Sequence, residues 1–228
     1  MFFPGFPKDT IEFLKTLAQN NNREWFAAHK QRYEASVLEP SLQFIESLRK
    51  PLDRVAPLLE VKAKRMGGSL MRIYKDTRFS KDKTPYKTNI GIQFRHQAGK
   101  DVHAPGIYLH IAVDECFVGA GIWQPDSEPL ARIRAYIAEH PDQWRKVSQA
   151  KSFCLYYTLL DDRLKTVPRG YAADHPLIDD LRRKSFIGSA PLTRDQIESP
   201  KLVSLITDRI RAAKPLMSLL CEALQLPY

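Results

Sequence analysis

The text Arg72-Ile73-Tyr74-Lys75-Asp76-Thr77-Arg78-Phe79-Ser80-Lys81-Asp82-Lys83-Thr84-Pro85-Tyr86-Lys87-Thr88 concentrates the chemistry this chain has to offer. The planar guanidinium forks of Arg72 and Arg78 match two oxygens of a phosphate or carboxylate. Lys81, Lys83 and Lys87 add point charges, and Thr84, Tyr86 and Thr88 add hydroxyl donors. Each hydrogen bond to a charged group is worth about 1.5–3 kcal/mol net, so three or four would support micromolar binding of an anion. Asp76 and Asp82 are expected to orient the arginines. In an extended chain Arg72 and Tyr74 share a face and Lys75 points the other way, so not all of these side chains can meet one ligand. The plain alternative is a solvated basic face, or a loop clamped by the acidic pairs Asp161-Asp162 and Asp179-Asp180.

The charge distribution favours a site. Eleven basic residues between Lys62 and Lys100 face only Asp76 and Asp82, a net +9 equal to that of the whole chain, and the remainder is balanced. Such a cluster calls for acidic groups from elsewhere in the fold or for an anionic partner. Three classes of partner fit. An anionic, for example phosphorylated, small molecule fits best, with or without a reaction. A nucleic-acid-binding module is the second reading, given a pI near 9.5 and aromatics among the cations. A protein with an acidic surface is the third.

Other candidates are weaker. His96, His103 and His110 stand seven apart, but strand parity puts His96 and His110 on opposite faces, so no metal site is expected. His110 or His103 is the best candidate for a general acid or base, with Tyr108 and Arg95 on the same sheet face as His110. Arg23 and Glu24 beside Trp25 are candidates for part of a site; a helix cap explains Glu24 without any function, and Arg23 stays open. Cys116, Cys154 and Cys221 form no CxxC pair and read as reduced thiols. No P-loop, GxGxxG, HExxH or GxSxG occurs, so no cofactor is expected. No signal peptide or apolar run near 20 residues is present, and a cytoplasmic protein without membrane contact is expected.

The elements that must hold the loop read as α+β, an antiparallel sheet of about four to six strands packed against helices from both ends of the chain, in one domain over 1–228. Ile11, Leu14 and Leu17 recur at helical spacing over 7–19. Asn21 with Glu24 reads as a capping box opening a second helix, which bends at Pro40. Alternation predicts strands at 90–96, 107–113 and 116–123, with another at 70–76 leading into the loop. Helices follow at 129–139, around Trp144 and after His175-Pro176. An edge strand is expected at 184–189, then closing helices over 201–224 broken at Pro215.

The motifs Asn20-Asn21-Asn22-Arg23-Glu24-Trp25-Phe26, Arg72 to Thr88, Gly119-Ala120-Gly121-Ile122-Trp123, and Asp174-His175-Pro176 followed by Lys184-Ser185-Phe186 occur in the order seen in the "domain of unknown function 2461" family. The chain resembles that family over nearly its whole length. The resemblance implies a single α+β domain with the arginine-rich loop among its hallmarks, and carries over no catalytic residue.

Overall fold

Helix α1, Lys8–Gln19, buries Ile11, Phe13, Leu14 and Leu17 along one stripe, as its spacing predicts. The next helical run is divided: α2 spans Arg23–Ala28, α3 Lys30–Tyr33 and α4 Glu39–Val55, with a π turn over Glu34–Leu38 between the last two. The irregularity thus lies just before Pro40, where the sequence expects a bend. Pro40 sits in the first turn of α4 and has no N–H for the carbonyl of Ser36 one turn back. The buried hydroxyl of Thr10 donates to that carbonyl instead (2.6 Å). The computed structural model describes residues 2–78, 80–99 and 104–228. Phe79 of the loop, and His103 with the acid–base role considered for it, fall outside the described residues.

The sheet is antiparallel, ordered β1-β2-β3-β5-β4, with β1 Asn89–Arg95, β2 Gly106–Ala112, β3 Cys116–Ile122, β4 Thr158–Leu159 and β5 Phe186–Leu192. Its period-2 alternation is visible in burial. Ile90, Ile92, Phe94, Ile107, Leu109, Ile111, Val118, Ala120 and Ile122 form the inner face and are nearly inaccessible to solvent. The predicted edge strand is an interior one, paired to β3 on one side and β4 on the other. The predicted strand over 70–76 is reduced to two single bridges, Leu70 to Ile92 and Tyr74 to Tyr86.

The further helices are α5 Ser127–Glu139, α6 Pro141–Ser148, α7 Lys151–Cys154, α8 Ile178–Leu181 and α9 Arg194–Ile197. Helix α10, Leu202–Ala223, packs against β3 and α4. It runs through Pro215 without a break, contrary to the sequence expectation. Ile206, Ile210, Ala213, Leu216, Met217 and Leu220 are all fully buried. Burying each large side chain is worth about 1.5–3 kcal/mol, which outweighs the roughly 3 kcal/mol that an interior proline costs. No helix among the described residues is long and apolar enough to cross a membrane.

Two sequence motifs meet at one end of the sheet. Gly121 pairs with Ile187 and Ile122 with Phe186, and the Gln124 N–H donates to the buried Ser185 hydroxyl (2.8 Å). Gly121 has φ +130°, and a Cβ there would lie 2.1 Å from the Phe186 carbonyl oxygen. Gly67, at φ +67°, has nothing within 4 Å of its virtual Cβ. Thermal unfolding of the two alanine variants separates strain from clash. Gly67→Ala should lose about 1–2 kcal/mol, or roughly 2–8 °C in Tm. Gly121→Ala should lose well over that or fail to fold. Equal losses would refute the β3–β5 register.

Candidate functional site

The loop expected to carry chemistry is held at its base by the asparagine triplet. Asn20 closes α1, its side-chain amide donating to the Thr16 carbonyl (3.0 Å). Asn22 caps α2, its Oδ1 accepting from the Trp25 N–H (2.9 Å). The predicted capping box of Asn21 with Glu24 therefore does not form: Asn22 is a plain N-cap with Trp25 three residues on, and Asn21 is released for another task. Its amide grips the backbone of Tyr86 at both ends: Nδ2 donates to the Tyr86 carbonyl (2.9 Å) and Oδ1 accepts from the Tyr86 N–H (3.0 Å). An amide side chain used this way replaces a neighbouring strand.

Aromatic packing reinforces the clamp. The Tyr86 ring, 5% exposed, stacks on Phe26 of α2 (centroids 4.1 Å apart, 20° between planes). Phe26 in turn meets Tyr33, and Tyr33 meets Phe13 of α1. Tyr74 packs on the other side of Tyr86 at 5.5 Å and remains 55% exposed. Backbone bonds from Lys75 N–H to the Pro85 carbonyl (2.9 Å) and from Lys87 N–H to the Ile73 carbonyl (2.7 Å) close the loop.

The loop's charges are largely answered from within. Asp76 binds Arg78 through two oxygens (3.0 and 2.6 Å), which lowers the pKa of the carboxyl and raises that of the guanidinium. Lys75 Nζ donates to Asp82 (2.7 Å) and to Thr84 (2.7 Å). Lys75 and the Thr84 N–H and hydroxyl together hold the Asp82 carboxyl well below its ordinary pKa. Asp76 does bind an arginine, whereas Asp82 binds a lysine. Farther back, Lys62 pairs with Glu60 and Arg65 with Glu34 and Glu39. The expectation that the cluster lacks internal counter-ions therefore fails for Lys62, Arg65, Lys75 and Arg78. The acidic pairs considered as clamps act elsewhere: Asp161 and Asp162 hold Arg163 and Lys184, and Asp179 and Asp180 hold Arg182 and Arg183.

What remains converges on a cleft of about 900 Å³ between the start of α2 and the loop, lined by Asn21, Asn22, Arg23, Tyr74, Lys75, Thr77, Lys83, Thr84, Pro85 and Tyr86. Of the predicted ligand-binding residues, Lys83 and Tyr86 line it; Arg72, Arg78, Lys81 and Lys87 do not. Lys83 Nζ donates to the Thr77 carbonyl (2.9 Å), which holds the ammonium in place and leaves two donors. Arg23, which the sequence left open, lines the cleft too, and Tyr74 and Asn21 are lining residues to which sequence reasoning gave no such role. Arg23 makes no hydrogen bond or ion pair among the described residues, and its charge is felt by the Tyr86 hydroxyl. Lys87 is partly desolvated beside Arg72, and both effects lower its pKa.

A second constellation lies on the outer sheet face. His110 stacks on Phe117 (4.9 Å, 10°) and its Nδ1 lies 3.1 Å from the Tyr108 hydroxyl and 3.5 Å from Asn89 Nδ2. The amide nitrogen can only donate and the hydroxyl is able to, so Nδ1 is the acceptor and the proton of the neutral ring sits on Nε2. Burial lowers the His110 pKa in the same direction. His96 faces inward, its Nε2 against the Pro227 carbonyl (2.9 Å), so these two histidines do not converge on one point.

Fold and site together define an α+β protein with a cationic cleft clamped between its N-terminal helices and a basic loop. The family model described as conserved hypothetical protein, domain of unknown function 2461, matches residues 9–218, and the chain belongs to that family. No curated protein and no solved structure matches it.

Two outcomes follow from this geometry. Asn21→Ala removes both hydrogen bonds to Tyr86 and should cost about 1–3 kcal/mol, with faster amide exchange at Lys75 and Lys87. Unchanged exchange there would show that the aromatic stack alone holds the loop. For His110 a lowered folded pKa favours the neutral ring, so its contribution is complete above about pH 6.5 and is lost as pH falls below it. Its NMR titration midpoint should lie below 6.5, and His110→Gln should flatten that part of the stability–pH curve.

Proposed function

We propose that this protein binds a phosphorylated or otherwise anionic small molecule in the cleft between the start of α2 and the loop 74–86. The observation that carries the reading is that Arg23 from α2 and Lys83 from the loop line one cleft whose described lining contains no carboxylate. Lys75 also lines the cleft but is neutralised by Asp82, so the attraction rests on two charges rather than three. The rigidity of the surround adds to it. Donors already held in place lose little freedom when a ligand arrives, and a guanidinium can offer two parallel bonds to one anion.

Thermal unfolding in phosphate or sulfate tests the reading. At about ten times Kd, wild type should gain roughly 1.4 kcal/mol, a few degrees in Tm. Arg23→Ala or Lys83→Ala should weaken binding roughly 10-fold or more. Arg78→Ala, which removes an exposed side chain outside the cleft, should leave it unchanged. Stabilisation that is absent, or that survives both cleft variants, would refute the proposal.

A further inference from the structure

We infer that the anion of this cleft is the phosphate of a nucleotide, whose base stacks on Tyr74. The inference rests on the anion-binding reading above and adds the chemistry of the rest of the ligand.

Most polar groups in the lining are already committed. Asn21 spends both ends of its amide on Tyr86, and Asn22 accepts from the Trp25 N–H. Lys75 and the Thr84 hydroxyl are joined to each other and to Asp82. The Thr77 carbonyl takes Lys83. The groups with charge or ring surface to spare are the Arg23 guanidinium, the two further donors of Lys83, and Tyr74, with the Asn22 amide NH2 and the Thr77 and Tyr86 hydroxyls as neutral donors around them. The first two are cations, and Tyr74 offers a planar aromatic surface.

Tyr74 is unusual in being both half-exposed and fixed. Its backbone bridges to Tyr86, and its ring rests against the Tyr86 ring, which is itself stacked on buried Phe26. An exposed aromatic that swings freely loses rotamer entropy when it stacks on a guest, whereas one braced against a fixed ring loses less. A braced ring beside two cations matches a ligand with a π-face at one end and an anion at the other. Base–aromatic stacking is sequence-tolerant and recurrent in proteins that hold nucleotides, free or in a single strand. The cleft of about 900 Å³ lies within the range of small-molecule sites and admits a base, a ribose and a phosphate.

Titration calorimetry with AMP, GMP, CMP and UMP, compared with ribose 5-phosphate, separates the two halves of the site. At least one nucleotide should bind about 5- to 100-fold more tightly than ribose 5-phosphate. Tyr74→Ala should remove that advantage while leaving ribose 5-phosphate affinity within twofold, and Tyr74→Phe should retain it. Arg23→Ala should weaken nucleotide and sugar phosphate alike. Sugar phosphate bound as tightly as every nucleotide, or a nucleotide advantage that survives Tyr74→Ala, overturns the inference and leaves the anion site standing. Failure of all these ligands together with inorganic phosphate overturns both. A ten-residue oligothymidylate distinguishes the source. Binding tighter than UMP, with log K falling by roughly 1.4 units per log unit of salt as two phosphates are neutralised, upholds a nucleotide within a strand, and binding no tighter upholds a free one.

Discussion

The bond between one asparagine side chain and one tyrosine backbone ties the two halves of this site together. Asn21 and Tyr86 are 65 residues apart, and the amide satisfies the N–H and the carbonyl of a residue that would otherwise stand at the unpaired rim of a long loop. With that bond in place the Tyr86 ring is delivered onto Phe26, Tyr74 is delivered onto Tyr86, and Arg23 on α2 comes to share a cleft with Lys83. Three consecutive asparagines divide the labour: one ends a helix, one binds the loop, one begins the next helix.

The electrostatics follow from the same economy. A turn carrying six cations would repel itself, and the two carboxylates within it relieve the strain locally, each holding the cation nearest in the folded loop. Exposed ion pairs of this kind add little stability. Their effect is positional, since a lysine joined to both an aspartate and a threonine stiffens the turn from which Lys83 reaches across to Thr77. The charge left over is small in amount and concentrated in place.

Much of the scaffold was legible in the sequence. Alternation at 90–96 and 107–113 and the i, i+3, i+4 spacing around Leu14 report burial directly, and the sheet and first helix lie where those periods put them. Pro215 misled because local propensity says nothing of the apolar face that α10 buries on both sides of it. The strand before the loop was overread, since alternation at 70–76 reflects bridges at two points and not a continuous ladder. For the site, the loop was visible as a charge anomaly, and so was the pairing of Asp76 with an arginine. The Lys75–Asp82 pair was not, because the two stand seven residues apart and meet only once the loop has closed. Nor was the role of Asn21, because an asparagine three before a glutamate reads as a cap, and Arg23 has a neighbour in the loop only after the chain has folded back.

The π turn at Glu34–Leu38 has a geometric consequence. Inserting one residue into a helix rotates everything beyond it by about 100° relative to a regular α-helix. On the near side of the turn, Tyr33 presents its ring to Phe13 and Phe26, the group that supports the loop. On the far side, Phe44 joins Phe3 and Phe6 in the interior. An uninterrupted helix could aim only one of those two sets correctly. The extra residue acts as a phase shifter, allowing a single rod to serve the cleft wall with one end and the hydrophobic interior with the other.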